Sequence, residues 1–514
     1  MLAFIARRLG ALIVVLFGSS FILYNLAAIS GDPIGALRFS DDREAEALIK
    51  ELEEFLRLDV PPPLRYFIWL RGILGVFTGN VDFGQTRLRG PVSTELFAAI
   101  PVTIRLVLIA TILSIVIGIA LGIISALRQY SRFDYSMTFF AFLLFSLPIF
   151  WVAVLLKRYL AITFNNFLED PYISMRWRIT LGLVIGLIFA SLFARSRRLF
   201  WPIFGALTLG MVGFLTFVNE AGLILNPRLG LVGILFFSLL ICVGITFVST
   251  GLSNRPALYS SLTMVPLTIV SYFGIQGQLN ASTSIPRLLG FALITSAVAV
   301  VVALIFARQD RGPVIRTAVL SALLSANLIV VDKFMRTWKP YMEEDAVNFR
   351  PIPTIGQAKE LLPQEDFWIV TLDTLIHLFL PTVALMLISF AGYIRYSRGT
   401  LLEVLNQDFI RTARAKGLTE RTVIMRHAFR NTMIPLATIM VVDFAGIVGG
   451  AIITEQVFGW NGMGTLFNRA VSTIDLNLLM GVFSITATLA VLANLVADLL
   501  YSALDPRIRV GGGK

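Results

Sequence analysis

Long apolar stretches alternate with polar segments along the chain, and several are long enough to cross a lipid bilayer. The first runs from Leu9 to Ala28, and the next two are Leu106–Leu127 and Tyr135–Leu156. Uninterrupted apolar runs of about 20 residues are typical of membrane-spanning helices. Six more stretches form a central block and three lie in the C-terminal part, so the pattern predicts an all-α, polytopic membrane protein with twelve crossings. The block contains stretches 179–194, 199–218, 229–250, 256–275, 288–307 and 317–331, and the last three stretches are 375–394, 433–453 and 476–500.

The composition agrees with this pattern. Hydrophobic residues make up 56% of the 514 residues and charged residues 15%, whereas soluble domains have about 45–50% apolar and about 25% charged residues. These proportions exclude a soluble globular protein and a disordered chain. The single cysteine, Cys242, excludes a disulfide framework, and two histidines, His377 and His427, leave little basis for a histidine metal site. The sequence therefore predicts no metal site, and we find no catalytic constellation.

The net charge of +11 has a different meaning in a membrane protein than in a soluble one. In a soluble chain it would suggest a nucleic-acid partner, but in a membrane protein cytoplasmic loops are enriched in Lys and Arg. Arg7 and Arg8 precede the first apolar stretch, and no small-residue cleavage pattern follows it. We therefore expect a retained first helix rather than a signal peptide, with its N-terminus in the cytoplasm. The segment 30–99 has no basic excess and is predicted to be external.

The most basic part of the chain is 395–430, which has eight basic and three acidic residues. It is predicted to be cytoplasmic, and an even number of crossings in the central block keeps it there. Lys157 and Arg158 fall on the external side in this topology, against the charge rule. Long basic side chains can extend toward an interface there. Both termini are expected in the cytoplasm.

These patterns divide the chain into six parts. They are a first transmembrane helix (1–30), an extracytoplasmic segment (31–99), two core helices (100–161), an inserted hydrophobic block (162–334), a second extracytoplasmic segment (335–371), and three core helices with the basic loop 395–430 (372–514).

The basic loop also carries a specific motif. The stretch Tyr393–Leu418, which reads YIRYSRGTLLEVLNQDFIRTARAKGL, resembles the cytoplasmic coupling loop of dipeptide/oligopeptide and nickel ABC-transporter permeases. Further landmarks of that family occur in the same order along the chain. They are Gly31-Asp32-Pro33, Asp82-Phe83-Gly84, Ser146-Leu147-Pro148, the HLFLP stretch from His377 to Pro381, the FGWNGMG stretch from Phe458 to Gly464, and the DPRIR stretch from Asp505 to Arg509. The resemblance covers 1–161 and about 335–514, whereas the block 162–334 has no counterpart in the usual six-helix pattern.

The resemblance implies a permease subunit that forms half of a pore in the plasma membrane of a prokaryote. Its implied partners are a second homologous permease, two ATP-binding subunits and an extracytoplasmic substrate-binding protein. ATP and Mg²⁺ would bind to the partner subunits, and this chain would hold no cofactor and would not be an enzyme. In agreement, the sequence lacks the G-x-x-x-x-G-K-[S/T] phosphate loop. Peptides are the first expectation for the substrate, with nickel, glutathione or an oligosaccharide as alternatives.

The resemblance identifies a short helix in the basic loop as the contact with the ATPase. Small Ala413 and Ala415 would let it enter a groove, and Gly417 would let the chain turn after it. Phe409 or Ile410 would supply an apolar anchor. On composition alone, an ordinary basic cytoplasmic loop without a partner is an equally good interpretation. Arg411, Arg414 and Lys416 would meet acidic groups at the rim, and the full predicted set is Asp408, Phe409, Ile410, Arg411, Thr412, Ala413, Arg414, Ala415, Lys416, Gly417 and Leu418.

Two further groups of residues are candidates with open alternatives. Asp443 and Asn494 lie within apolar stretches and are candidates for the translocation pathway, since intramembrane carboxylates are usually functional. The alternative is a structural hydrogen bond between helices, which we favour for Asp498. Phe458 and Trp460 are candidates for contact with a binding protein, although Trp460 could equally anchor the chain at the membrane interface.

Two other classes of function remain as alternatives. A membrane enzyme or sensor built by the block would need converging polar residues between 179 and 334, where the sequence offers only isolated ones such as Glu220, Asn327 and Asp332. An ion-coupled carrier would need paired ionisable groups at mid-membrane, and Asp443 is the main candidate for such a group.

Overall fold

The computed structural model describes residues 2–38, 43–194, 196–280, 283–307 and 311–504, and regular secondary structure in these ranges is helical. The predicted all-α class is therefore confirmed. The chain forms two compact units, unit 1 (1–158, 354–357 and 378–514) and unit 2 (159–353 and 358–377). The α-helices are α1 (Leu2–Ser30), α2 (Gly35–Arg38), α3 (Arg43–Phe55), α4 (Pro62–Leu74), α5 (Val92–Leu127), α6 (Arg132–Ser146), α7 (Ile149–Leu156), α8 (Thr163–Phe167), α9 (Met175–Phe193), α10 (Arg197–Glu220), α11 (Gly230–Ser249), α12 (Arg255–Leu262), α13 (Met264–Asn280), α14 (Ile285–Phe306), α15 (Arg311–Glu343), α16 (Phe367–Leu405), α17 (Asp408–Ala415), α18 (Glu420–Thr422), α19 (Phe429–Gly450), α20 (Ile452–Phe458), α21 (Met463–Ser472) and α22 (Leu476–Leu504).

Ten helical segments in the described ranges are long and apolar enough to cross a membrane. Each overlaps one of the twelve stretches predicted from the sequence. The predicted stretch 433–453 corresponds to α19, in which the side chains at 442 and 444–450 lie outside the described part of the chain. The ten segments are Gly10–Ser30, Val92–Leu127, Met175–Leu192, Arg197–Glu220, Gly230–Ser249, Arg255–Asn280, Ile285–Phe306, Arg311–Glu343, Phe367–Leu405 and Leu476–Val496.

The remaining predicted stretch, Tyr135–Leu156, corresponds to two helical segments, α6 and Ile149–Phe167, that are together apolar enough for a span but are bent by 102°. The bend lies at Leu147, which is extended with φ −86° and ψ 129°, and at Pro148, which precedes α7. Proline disfavours the helical conformation of the residue before it and donates no backbone hydrogen bond. The chain accordingly changes direction at Pro148, in the interior of the predicted stretch.

The segment 31–99 of unit 1 packs on the first helix through aromatic residues. Tyr66 of α4 is fully buried, and its hydroxyl lies 2.8 Å from the Ser20 hydroxyl of α1. Tyr24 meets Tyr66 edge-on, and Trp69 packs beside both. Edge-to-face ring pairs add about 0.5–1.5 kcal/mol to the apolar burial. This cluster fixes α4 against α1.

The Asp82-Phe83-Gly84 motif has a structural explanation. The Asp82 carboxylate accepts a hydrogen bond of 2.8 Å from the Gly84 amide, and Gly84 has φ +83°. The turn directs Phe83 into the core of unit 1, where it packs with Val92 and Leu96 of α5. Asp and Gly favour this geometry because a carboxylate can cap its own turn and glycine has no Cβ.

Unit 2 contains the six helical segments of the central block, from α9 to α15. Its interior is built from small and hydroxyl side chains. The Ser261 hydroxyl lies 2.6 Å from the Ser321 hydroxyl and 3.1 Å from the Cys242 carbonyl oxygen, within hydrogen-bonding distance of both. Small residues allow membrane helices to approach closely, and hydroxyl groups bond across the interface.

Candidate functional site

The basic loop of unit 1 forms a short, capped helix that stands between two longer ones. Gln407 is extended, α17 follows over Asp408–Ala415, and Gly417 then turns the chain with φ +74°. The Gly417 amide donates to the Arg414 carbonyl at 2.9 Å, which closes the C-terminus of the helix. Asp408 lies in the first turn and Arg414 in the last, so both complement the helix dipole. The chain then returns through α18 and a π-helical turn, Val423–Ala428, into α19.

The two faces of α17 have different environments. Ile410 and Ala413 are buried and pack against Leu401 of α16 and against Val423 and Ala428 of the π-helical turn. These contacts seat the short helix on the body of unit 1. Ile410 and Ala413 consequently face inward, toward the core of the unit.

The opposite face of α17 is exposed to solvent. Phe409 is 42% exposed and Leu418 is 40% exposed. Of the two residues considered for the apolar anchor, Phe409 is therefore the one available to a partner. The other predicted contact residues around it are also exposed, namely Asp408, Arg411, Thr412, Arg414, Ala415, Lys416 and Gly417.

The charged residues of this face are partly paired within the loop. Arg414 donates two hydrogen bonds to Glu420, at 2.7 and 3.2 Å. These bonds hold the pKa of the Glu420 carboxyl below its usual value. Arg411 lies 3.6 Å from Asp408, and both side chains are largely exposed. Exposed pairs of this kind add little stability, so acidic groups of a partner can compete for the arginines.

An ion pair that sequence reasoning missed fixes α16 behind this helix. Asp134 is 2% exposed at the start of α6, and the Arg398 guanidinium donates to its two oxygens at 2.6 and 2.9 Å. The carboxylate also accepts bonds from the Ser125 hydroxyl at 2.5 Å and the Tyr130 amide at 3.0 Å. The sequence carried one signal, an aspartate in a loop otherwise dominated by arginines. Its pairing with a residue 264 positions away could not be read from the pattern.

A second buried carboxyl lies in the loop before α22. Glu455 of α20 is fully buried, and its oxygens accept hydrogen bonds from the Thr103 hydroxyl at 2.6 Å and the Thr465 amide at 2.9 Å. Burial raises the pKa of the Glu455 carboxyl. The Met463 amide in turn donates to the Thr103 oxygen at 2.8 Å. Glu455 therefore joins α5, α20 and the N-terminus of α21.

Comparison with known proteins finds a family that part of this chain resembles. Residues 288–510 match the model described as "Binding-protein-dependent transport system inner membrane component", and this range includes α17. The match covers less than half of the 514 residues.

Several named permeases are similar to parts of this chain. The oligopeptide transport system permease protein OppB of Mycobacterium tuberculosis is 47% identical over 138 residues, which are 27% of this chain and 42% of OppB. The oligopeptide transport system permease protein AppB of Bacillus subtilis is 43% identical over 136 residues, 26% of this chain and 43% of AppB. These matches span less than half the length of either relative.

A longer alignment joins this chain to the dipeptide transport system permease protein DppB of Alkalihalophilus pseudofirmus. The two are 26% identical over 512 residues, which are 99% of this chain and 100% of DppB. This alignment extends the similarity to a transport permease over nearly the whole chain.

The two candidates for a translocation pathway occupy helices of the family core that pack against each other. Asp443 lies on α19, is partly buried, and faces the Tyr393 hydroxyl of α16. Asn494 lies on α22 and is exposed. Both assignments remain predictions. The side chain of Asp498 lies outside the described residues.

The candidate binding-protein contacts, Phe458 and Trp460, are both buried, at 2% and 1% exposure. Gly459 between them has φ +65° and ends α20. A Cβ on Gly462 would overlap Glu455, so glycine is required there. The motif thus builds a rigid loop, and a partner would touch exposed neighbours such as Asn461 first. The proposed contact itself remains a prediction.

Proposed function

We propose that this chain is the transmembrane permease subunit of an ATP-driven, binding-protein-dependent importer of peptides. It forms half of a translocation pore with a second homologous permease, and two separate subunits hydrolyse ATP on the cytoplasmic side. The observation that carries the proposal is α17, a capped helix with an exposed face inside the region that matches the family model. The named relatives transport oligopeptides or dipeptides, and this supports peptides as the cargo.

The seating of α17 supports its role as the coupling element. Ile410 and Ala413 fix it to α16 and to the π-helical turn Val423–Ala428 that precedes α19. The Asp134–Arg398 pair connects α16 to α6. A displacement applied to Phe409 and Arg414 would therefore move several membrane helices together, because buried, close-packed contacts transmit displacement. The cytoplasmic position of this face, and of both termini, is part of the proposal.

Co-expression and reconstitution test the assembly. The chain is purified with its neighbouring transport subunits and inserted into proteoliposomes, and ATP hydrolysis and uptake of a labelled dipeptide are measured together. We expect Arg414→Glu and Phe409→Ala to lower uptake per ATP hydrolysed, since both change the exposed face of α17. Arg311→Glu is the matched control, because Arg311 is an exposed basic residue at the start of α15 in unit 2.

Three outcomes would contradict specific parts of the proposal. Purification of the chain without ATPase subunits would contradict the assembly. Normal coupled transport by both α17 variants would contradict the coupling assignment. Uptake of nickel, glutathione or an oligosaccharide in place of the dipeptide would replace the substrate class and leave the assembly intact.

A further inference from the structure

Unit 2 has an apolar groove that opens between three membrane helices. It encloses about 430 Å³ between α13, α14 and α15. Its walls include Val270, Ile285, Leu289 and Ile294, each more than half exposed. In a bilayer these side chains meet hydrocarbon, so the groove is shaped for acyl chains rather than for a polar solute.

A small polar cavity adjoins one end of this groove. It encloses about 80 Å³, and Leu279 and Ile329 line both spaces. Its other walls carry two basic side chains, Lys333 and Arg336, together with the Asp332 carboxylate and the amide of Asn280. The shared wall places the two cations next to the end of the apolar groove, an arrangement that suits a ligand with one apolar and one polar part.

The basic groups retain hydrogen-bond donors for such a ligand. Lys333 donates to the Asn280 side-chain oxygen Oδ1 at 2.7 Å, and its Nζ lies 5.8 Å from the centroid of the Trp368 ring. An ammonium group carries three N–H donors, so donor capacity remains for a ligand. Arg336 uses Nε for Asp332 at 2.7 Å and Nη2 for the Tyr272 hydroxyl at 2.7 Å. Its remaining nitrogen, Nη1, has no partner in the described ranges.

The acidic groups nearby are already satisfied. Asp332 is 1% exposed and accepts bonds from the amides at residues 229 and 230 in addition to Arg336. Asp366, which directly precedes α16 and acts electrostatically on Lys333, accepts hydrogen bonds from the amides of residues 368 and 369. Both carboxylates are thus held by backbone N–H groups, and the donors of Lys333 and Arg336 point to an anionic ligand.

We propose that unit 2 binds one membrane phospholipid, with its phosphate between Lys333 and Arg336 and an acyl chain in the groove of α13, α14 and α15. A phosphodiester offers acceptor oxygens to Lys and Arg, and a phospholipid joins this anionic group to the acyl chains that an apolar groove can hold. The proposal does not depend on the transported substrate.

Lipid titration of the delipidated, purified full chain tests the proposal by native mass spectrometry. The probes are phosphatidylglycerol, diacylglycerol with the same acyl chains, and inorganic phosphate. We expect one saturable phosphatidylglycerol per chain, no saturable diacylglycerol, and no competition by millimolar phosphate, because both parts of the lipid are required.

Matched variants locate the site. Lys333→Gln should weaken binding at least about tenfold, since it removes one cation that pairs with the phosphate, whereas Lys339→Gln, on the same helix outside the cavity, should not. Ala292→Trp fills the groove and should block binding, whereas Ala297→Trp on the exposed side of α14 should not. Equal binding of diacylglycerol, or equal effects of Lys333→Gln and Lys339→Gln, would overturn the proposal. If the groove variant fails to fold, the lysine pair decides.

Discussion

The Asp134–Arg398 pair gives a quantitative prediction about the element that positions α17. We compare Asp134→Ala, Arg398→Ala and the double variant. Removal of Asp134 eliminates four hydrogen bonds to its carboxylate, two of them from Arg398. Breaking a buried ion pair costs about 3–5 kcal/mol because one charge stays uncompensated. The Arg398 side chain is 27% exposed, so water recovers part of this cost.

We therefore expect Asp134→Ala to lower the free energy of unfolding by about 3 kcal/mol. The two single effects should not add, and the coupling energy should be about 2 kcal/mol. Reversible unfolding in mixed micelles, titrated with denaturing detergent, measures both quantities. The pair Asp408–Arg411 is the control, because its side chains are 96% and 72% exposed. Its coupling energy should stay below about 0.5 kcal/mol. A coupling energy for Asp134 and Arg398 as small as that of the control would refute the reasoning.

Three further predictions concern the loop and the buried carboxyl. Ile410→Ala should lower the free energy of unfolding by about 2–5 kcal/mol because Ile410 is fully buried. Phe409→Ala should leave the free energy of unfolding nearly unchanged. Equal losses in the micelle titration would contradict the assignment of one buried and one exposed face to α17. Gly417→Ala should cost about 1–2 kcal/mol because φ is +74°, whereas Gly399→Ala in helical α16 should not destabilise, as the same titration can show. The pKa of the Glu455 carboxyl is raised in the folded state, so its contribution to stability is present at low pH and is lost as the pH rises through that pKa. The melting temperature should therefore fall less from acid to neutral pH in Glu455→Gln than in the unaltered protein. Parallel curves of melting temperature against pH for the two proteins would contradict this.

The bilayer explains why so much of the fold could be predicted from the sequence. Backbone groups have no water to bond in hydrocarbon, so long apolar runs must become helices. Ten predicted stretches accordingly overlap the candidate spans. The segment around Asp408 was predictable because its letters match a known family in order, and Gly417 takes the positive φ that a turn after the helix requires.

The pairing of distant residues was decided by the tertiary structure alone. The sequence pattern left open whether Phe409 or Ile410 faces a partner, because either side of so short a helix could pack inward. In the structure, contacts with Leu401 and Val423 bury Ile410. From the sequence, Trp460 could be an exposed loop residue. In the structure it is 1% exposed.

The bend at Pro148 and the ion pair of Asp134 show the same division between local and distant causes. Hydropathy measures the transfer of side chains into lipid and does not register the backbone geometry before a proline. Charge counts locate a loop on one side of the membrane but cannot select the carboxylate that meets Arg398. Those choices depend on which helices lie side by side, and a one-dimensional pattern does not contain that information.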